Sequence, residues 1–309
     1  MTCPIRDRDG HFAEKCESKL KIGFEAIVAN YQIGKKRGWV MRGNKYAAML
    51  TSAPLRRILL SGVLAICVAH GSCVLAAPDE IQVYTEEMDE PGQFGLEQHI
   101  NYTVHGTQTP DYPGQMTTNH ILQVTPEFSY GITKNLEAGL YIPFAFAPGG
   151  NAFLNALRVR LKYIAPRQSD ENMFYGMNVE VGRDTLRVSD SISGMEIRPI
   201  VGYRDARWLA SFNPILNLGL AGNVSRLPQF EPSLKLTHRI EEGVRGGFEY
   251  YGTYGTLNHP LPSDQRGHTL YAVTDVDIRG FVANFGIGRG FVNATDPWVV
   301  KAILEVPLE

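Results

Sequence analysis

Over most of its length the sequence is poor in cysteine, in long apolar runs and in positive charge, and each shortage removes a class of function. All four cysteines (Cys3, Cys16, Cys67, Cys73) precede Ala77, so everything beyond that point lacks a thiol to cross-link, to ligate zinc or to attack a substrate. Of the 30 Lys and Arg, 12 lie before Ala77, as do 5 of the 32 Asp and Glu, which leaves 18 basic against 27 acidic side chains beyond it. That balance excludes nucleic acid as a partner, because a phosphate-binding surface needs a basic stripe. No run beyond Ala77 is apolar over the about 20 residues that a membrane-crossing helix requires, and amphipathic helical periodicity is scarce.

The one apolar run of note, Ile58 to Ala69, follows Met49 and the pair Arg56-Arg57 and leads into Val74-Leu75-Ala76-Ala77-Pro78. A basic start, an apolar middle and a small-residue end are the order of a secretory signal peptide, here 49–76 with cleavage after Ala76. Cys67 and Cys73 lack the small-residue context of a lipoprotein box, and Arg56-Arg57 is a weak match to a twin-arginine signal. Residues 1–48 do not belong ahead of a signal peptide, and the reading is that translation starts at Met49. Cys3, His11 and Cys16 lack the fourth ligand of a zinc site. Residues 77–93 are expected to form a periplasmic N-terminal segment, with acidic Glu86, Glu87, Asp89 and Glu90 as a solvated tail.

From residue 94 onward, period two dominates. Leu157, Val159, Leu161 and Tyr163 alternate with Arg158, Arg160 and Lys162; Leu136, Ala138, Leu140, Ile142 and Phe144 oppose Glu137 and Tyr141; Val300, Ala302 and Leu304 oppose Lys301 and Glu305. Such alternation marks strands that are apolar on one side and wet on the other. It predicts strands at 94–104, 120–131, 135–144, 155–164, 173–182, 193–204, 207–218, 228–239, 243–254, 267–276, 279–289 and 297–308. Each is close to the 9–11 residues that a tilted strand needs to cross a membrane. Short connections (Ile132 to Asn135, Asp205-Ala206, Ile240 to Glu242, Asp277-Ile278) alternate with mostly longer ones such as His105 to Asn119 and Gly255 to Arg266. The sequence therefore predicts an all-β fold, an antiparallel transmembrane β-barrel of about 12 strands over 94–309, with both ends periplasmic. A soluble β-sandwich also alternates. The leader, the strand lengths and aromatics near strand ends (Tyr102, Tyr130, Phe144, Tyr163, Tyr203, Trp208, Tyr250, Phe281, Trp298) favour the barrel. In a barrel the apolar face meets outer-membrane lipid and the charged face lines the lumen. Pro126, Pro199 and Pro232 fall inside strands, where each costs a ladder bond; bulges are one explanation.

The stretch Thr125 to Pro143, reading TPEFSYGITKNLEAGLYIP, resembles the strand-turn-strand element of poorly characterised proteobacterial outer-membrane β-barrels, described as transporter-like or as relatives of phenol meta-degradation pathway barrels. The resemblance implies an outer-membrane barrel across 78–309 and carries over no catalytic or ligand residue. Such barrels usually end on an aromatic residue, and this chain departs from them with Pro307-Leu308-Glu309.

The candidate lumen-lining residues are Glu137, Arg158, Arg160, Lys162, Glu180, Glu196, Arg198, Lys301 and Glu305. Arg158, Arg160 and Lys162 form a basic ladder flanked by Glu137 and Glu180, read equally as a selectivity zone or as salt-bridged filling. Glu196 with Arg198, Glu231 with Lys235, Arg245 with Glu249, and Lys301 with Glu305 extend mixed charge around the wall. The implied function is a non-enzymatic, porin-like channel or transporter for small solutes, with no cofactor and no metal. The alternatives are an outer-leaflet hydrolase using loop residues His259, Asp264 or His268, and a plugged structural or adhesive barrel. Asp275 and Asp277 lack the further spaced oxygens of a Ca²⁺ site. Gly286, Gly288 and Gly290 precede no helix and form no phosphate loop. The sequons at Asn101, Asn223 and Asn293 carry no meaning in a bacterial barrel.

Overall fold

The computed structural model describes residues 80–309 apart from 109, 111, 223–226, 293, 294 and 309. The extension at 1–48 and the leader at 49–76 lie outside the described residues. Twelve long strands follow in order: β1 (Phe94–His105), β2 (Leu122–Thr133), β3 (Leu136–Tyr141), β4 (Ala156–Ile164), β5 (Met173–Asp184), β6 (Ser191–Arg204), β7 (Trp208–Gly222), β8 (Gln229–Glu241), β9 (Val244–Thr253), β10 (Gly267–Ile278), β11 (Phe281–Gly290) and β12 (Trp298–Leu308). Each pairs antiparallel with its chain neighbour. β1 bonds β2 along one edge and β12 along the other, from Phe94↔Leu308 to His105↔Trp298, so the sheet closes on itself. Closure leaves no unpaired edge, which is what allows strands to stand in lipid.

The side chains follow the alternation. On β4, Leu157, Val159, Leu161 and Tyr163 are exposed on the outside while Arg160 and Lys162 are buried inside. Polar-in and apolar-out is the inverse of a soluble core, and it repeats on β2, where Phe128 and Tyr130 point out and Thr125, Glu127 and Ser129 are buried. Aromatics gather at both rims of the outer face: Tyr130, Tyr163, Trp208 and Phe281 near the short turns, Tyr102, Phe146 and Trp298 near the long loops. Amphipathic rings at two levels suit the two interfaces of a bilayer.

Three local differences from the sequence reading have physical causes. The third strand is not continuous over 135–144: it breaks after Tyr141 and resumes as Phe144–Phe146, paired with Ala152–Leu154, because Pro143 has no N–H to continue the ladder. The turn expected at Asp277-Ile278 sits two residues later. There Arg279 and Gly280 both take positive φ (55° and 80°), the backbone of a type I′ hairpin that suits the strand twist. The strand prolines are not at bulges. Register shifts fall at Gly131/Thr133, Thr103/His105, Arg239/Glu241 and Ser191 to Gly194, whereas Pro232 faces Pro214 in register. Around Pro199 the β6–β7 register is kept while the pairing skips from Ile197 to Val201.

Candidate functional site

The lumen is occupied by the chain's own N-terminal segment. Residues 80–93 enter from the short-turn end, where Gly92 N donates to Gly131 O at 2.7 Å, and reach the middle of the barrel, burying Ile81, Val83, Tyr84 and Thr85. The solvated tail expected at Glu86 to Glu90 is therefore corrected. Glu86 pairs with Arg204 at 2.7 Å and with Arg167 at 3.3 Å, Glu87 pairs with Arg204 at 2.6 Å, and Asp89 accepts from Ser129 on β2. Glu86 and Glu87 thus pair with basic groups at the short-turn rim, while Glu87 and Glu90 keep their contact with solvent.

A lone extended segment has no ladder partner, so its backbone groups must find side chains. The Tyr84 amide donates to Asn213 Oδ1 at 2.7 Å, and its carbonyl accepts from Ser211 Oγ at 2.6 Å and Asn213 Nδ2 at 3.1 Å. Lys301 Nζ donates to the Ile81 carbonyl at 2.8 Å, Arg198 to the Gln82 carbonyl at 3.2 Å, Lys162 to the Glu87 carbonyl at 2.5 Å, and the Asp89 amide donates to Glu137. The Tyr84 hydroxyl meets that of Tyr141, and the Arg198 guanidinium lies 4.2 Å from its ring centre. Cations stacked on a desolvated ring are attracted by its quadrupole. Gly95 and Gly131 make the approach possible: a Cβ on Gly131 would stand 2.3 Å from the Glu90 carbonyl.

Around this segment the predicted lumen residues fall into three groups. In the first, Arg160 donates to Glu127 at 2.6 Å and pairs with Glu137 at 2.8 Å, while Glu127 also meets His99 Nε2 at 3.2 Å. Arg160 of β4 reaches Glu127 of β2 by crossing β3 over Gly139, where a Cβ would lie 2.7 Å from its Nε. In the second, Arg158 pairs with Asp184 at 2.7 Å and lies 3.6 Å from Glu180, and Arg198 pairs with Glu196 at 2.6 Å and Glu80 at 3.2 Å. A cavity of about 50 Å³ remains between these residues, room for a few waters and none for a solute. In the third, Lys301 pairs with Glu249, which also accepts Lys235 at 3.2 Å, and Lys235 reaches Asp275 at 2.7 Å. Glu305 stands exposed at the short-turn mouth.

The partners along each strand are thus mostly replaced by partners across strands. Glu231 accepts from Asn217 at 2.6 Å, Arg245 caps the carbonyls of Arg207 and Asp205, and Asp275 is held by Lys235 and Asn284. Of the glycines on β11, Gly286 and Gly288 leave room for Lys301 and Tyr271. Sequence reasoning set Tyr141 on the inner face with Glu137 but passed over His99, Glu127, Ser211 and Asn213, all inward by the same period-two rule. The loop residues of the hydrolase reading are not brought together: among the described residues no hydrogen bond or ion pair links His259, Asp264 and His268. His268 Nδ1 instead bonds the Tyr250 hydroxyl at 2.7 Å.

No protein-family profile matches the chain, and no curated protein sequence is similar to it. Among solved structures, the COG4313 outer membrane channel from Pseudomonas putida F1 aligns with a TM-score of 0.50 at 12% identity, over 74% of this chain and 100% of that one. The NanC porin aligns with a TM-score of 0.45 at 9% identity, over 70% and 99%. The chain has the fold of an outer-membrane β-barrel. At these identities the likeness concerns architecture alone.

Proposed function

We propose that this barrel is a non-enzymatic outer-membrane channel for small solutes, closed at rest by residues 80–93 and conducting when that segment withdraws. The observation that carries the reading is the lodging of the segment inside a closed barrel by contacts made mainly through side chains, whose polar groups water can satisfy in their place. The short-turn end, where the barrel begins at Phe94 and closes at Leu308, would face the periplasm, so the segment would move toward the cell interior. The wall it uncovers holds Arg158, Arg160, Lys162, Arg198, Lys235 and Lys301 against Glu127, Glu137, Glu180, Asp184, Glu196, Glu231, Glu249 and Asp275, a mixed set with a modest acidic excess. The Pseudomonas putida protein of the same fold is an outer membrane channel, which agrees with this reading, although fold alone does not fix function. Single-channel recording in planar bilayers tests it: rare openings from folded wild-type protein, made frequent by weakening the segment's anchor, are expected. Folded protein that never conducts in either form would favour the structural or adhesive alternative.

A further inference from the structure

We infer that the wall beside the plug holds a site for a transition-metal dication of the zinc class, made by Glu97 and His99 on β1, Glu127 on β2, and Gln82 from the plug. Glu97 and Glu127 are direct cross-strand partners, and His99 lies two residues along β1 on the same inner face. One ligand atom from each, His99 Nε2 and a carboxylate oxygen of each glutamate, lies within 4.8 Å of the others. The individual separations are more telling: His99 Nε2 is 3.2 Å from Glu127 Oε2 and 3.5 Å from Glu97 Oε2. Four ligands at the about 2.0–2.1 Å usual for zinc define a tetrahedron with edges of about 3.3–3.4 Å. These two edges already have that length without rearrangement.

The electrostatics also call for a cation. Cross-strand like charges repel, and here Glu97 faces Glu127 on one side and Glu305 on the other. Arg160 binds Glu127 through Oε1 and is shared with Glu137, which leaves Glu127 Oε2 directed at His99. Among the described residues neither Glu97 nor Glu305 has a Lys or Arg partner. The fourth donor comes from the plug: the Gln82 side-chain amide lies 2.9 Å from Glu97 Oε2. Nitrogen and oxygen of an amide occupy nearly equivalent positions, so a half-turn of that group presents its carbonyl oxygen to the metal. The competing arrangement is a metal-free His99–Glu127 hydrogen bond with Glu97 merely near it. A metal bound to all four residues would fasten the plug to the β1–β2 wall.

Titration of untagged, metal-stripped, detergent-folded protein with Co²⁺ tests the site, using the visible absorption of four-coordinate cobalt and its loss on adding Zn²⁺. The result does not depend on whether the barrel conducts, so it can fail without the proposed channel failing. Saturation at one equivalent is expected, with the band abolished in Glu97→Gln and in His99→Ala. In Gln82→Ala, affinity should fall by at least the ~10-fold that loss of a supporting group costs a metal site. Heat-modifiable migration in gels certifies each variant as folded, and Glu97→Gln keeps the side-chain shape should His99→Ala fail to assemble. No saturable Co²⁺ binding by wild type, or equal binding by Glu97→Gln, would overturn the site. Equal affinity and spectrum in Gln82→Ala would overturn the plug's share in it.

Discussion

If the N-terminal segment is the gate, its weakest point is known by name. Tyr84 is the largest of the segment's buried side chains, at 3% exposure, and its ring lies beneath Arg198, Arg160 and Lys162 at 4.2, 5.7 and 5.1 Å. Truncating a buried aromatic to alanine costs about 3–5 kcal/mol. In a polar lumen water can fill the space left behind, so the lower figure applies. At about 1.4 kcal/mol per tenfold, Tyr84→Ala should raise the ratio of withdrawn to seated segment roughly 100-fold. The backbone bonds to Ser211 and Asn213 survive the substitution, so the plug should still reseat, giving brief openings. Planar-bilayer recording measures the open fraction directly, and deletion of residues 80–88 sets its ceiling. Heat-modifiable migration confirms that the wall is intact, since β1 to β12 are not altered. If both variants, correctly folded, show the open fraction and conductance of wild type, the segment does not control the pore and the reasoning fails.

Four further expectations follow from named contacts. Replacing Arg158, Arg160 and Lys162 together with Gln should shift the reversal potential away from anions, because the wall loses three positive charges and keeps Glu137 and Glu180; unchanged selectivity in an open variant removes these residues from the conduction path. Gly131→Val should raise the open fraction by a route independent of Tyr84, since even its Cβ would stand 2.3 Å from the Glu90 carbonyl, and limited proteolysis should cut the segment sooner. Asp205→Ala should lower the temperature of heat modification, because the Asp205 carboxylate accepts the amides of Trp208 and Arg207 at 2.6 and 2.7 Å. Those amides hold its pKa below the usual carboxylate value, so the contribution is complete above pH ~4 and is lost as pH falls through the depressed value. Intact mass of protein purified from membranes should begin at Ala77, and retention of residues ahead of Met49 would refute the leader assignment.

The wall was legible in the sequence because each strand carries its own evidence. Leu157-Arg158-Val159-Arg160-Leu161-Lys162 states in six residues which side meets lipid and which meets the lumen, and nothing distant is needed to read it. Pairing inside the lumen was less legible. Arg160 reaches over β3 to Glu127, and Lys301 of β12 reaches over β11 and β10 to Glu249 of β9. Such pairs join strands that are not neighbours in the sheet, so neither spacing along the chain nor cross-strand register reveals them. The glycine that permits the first, Gly139, is visible only as a missing side chain on an inner face.

The plug was the least legible part, for a physical reason that bears on its role. A strand in a sheet leaves a periodic trace because its neighbours sort its side chains into two faces. Ile81, Val83, Tyr84 and Thr85 are buried within the wall, and up to Glu87 the backbone is met by Ser211, Asn213, Lys162, Arg198 and Lys301; at Gly92 and Gln93 it bonds a strand, at Gly131. No alternation is imposed, and the acidic cluster Glu86 to Glu90 is read as a tail. The indirect signs were on the wall: inward-facing glycines at 95 and 131, and the amide and hydroxyl groups of Asn213 and Ser211, which can meet a backbone without a charge. The same lack of a ladder makes withdrawal feasible. A strand leaving the sheet would strand a row of backbone groups in lipid, whereas this segment leaves behind side chains that lumen water can solvate, and takes with it a backbone that water can solvate too.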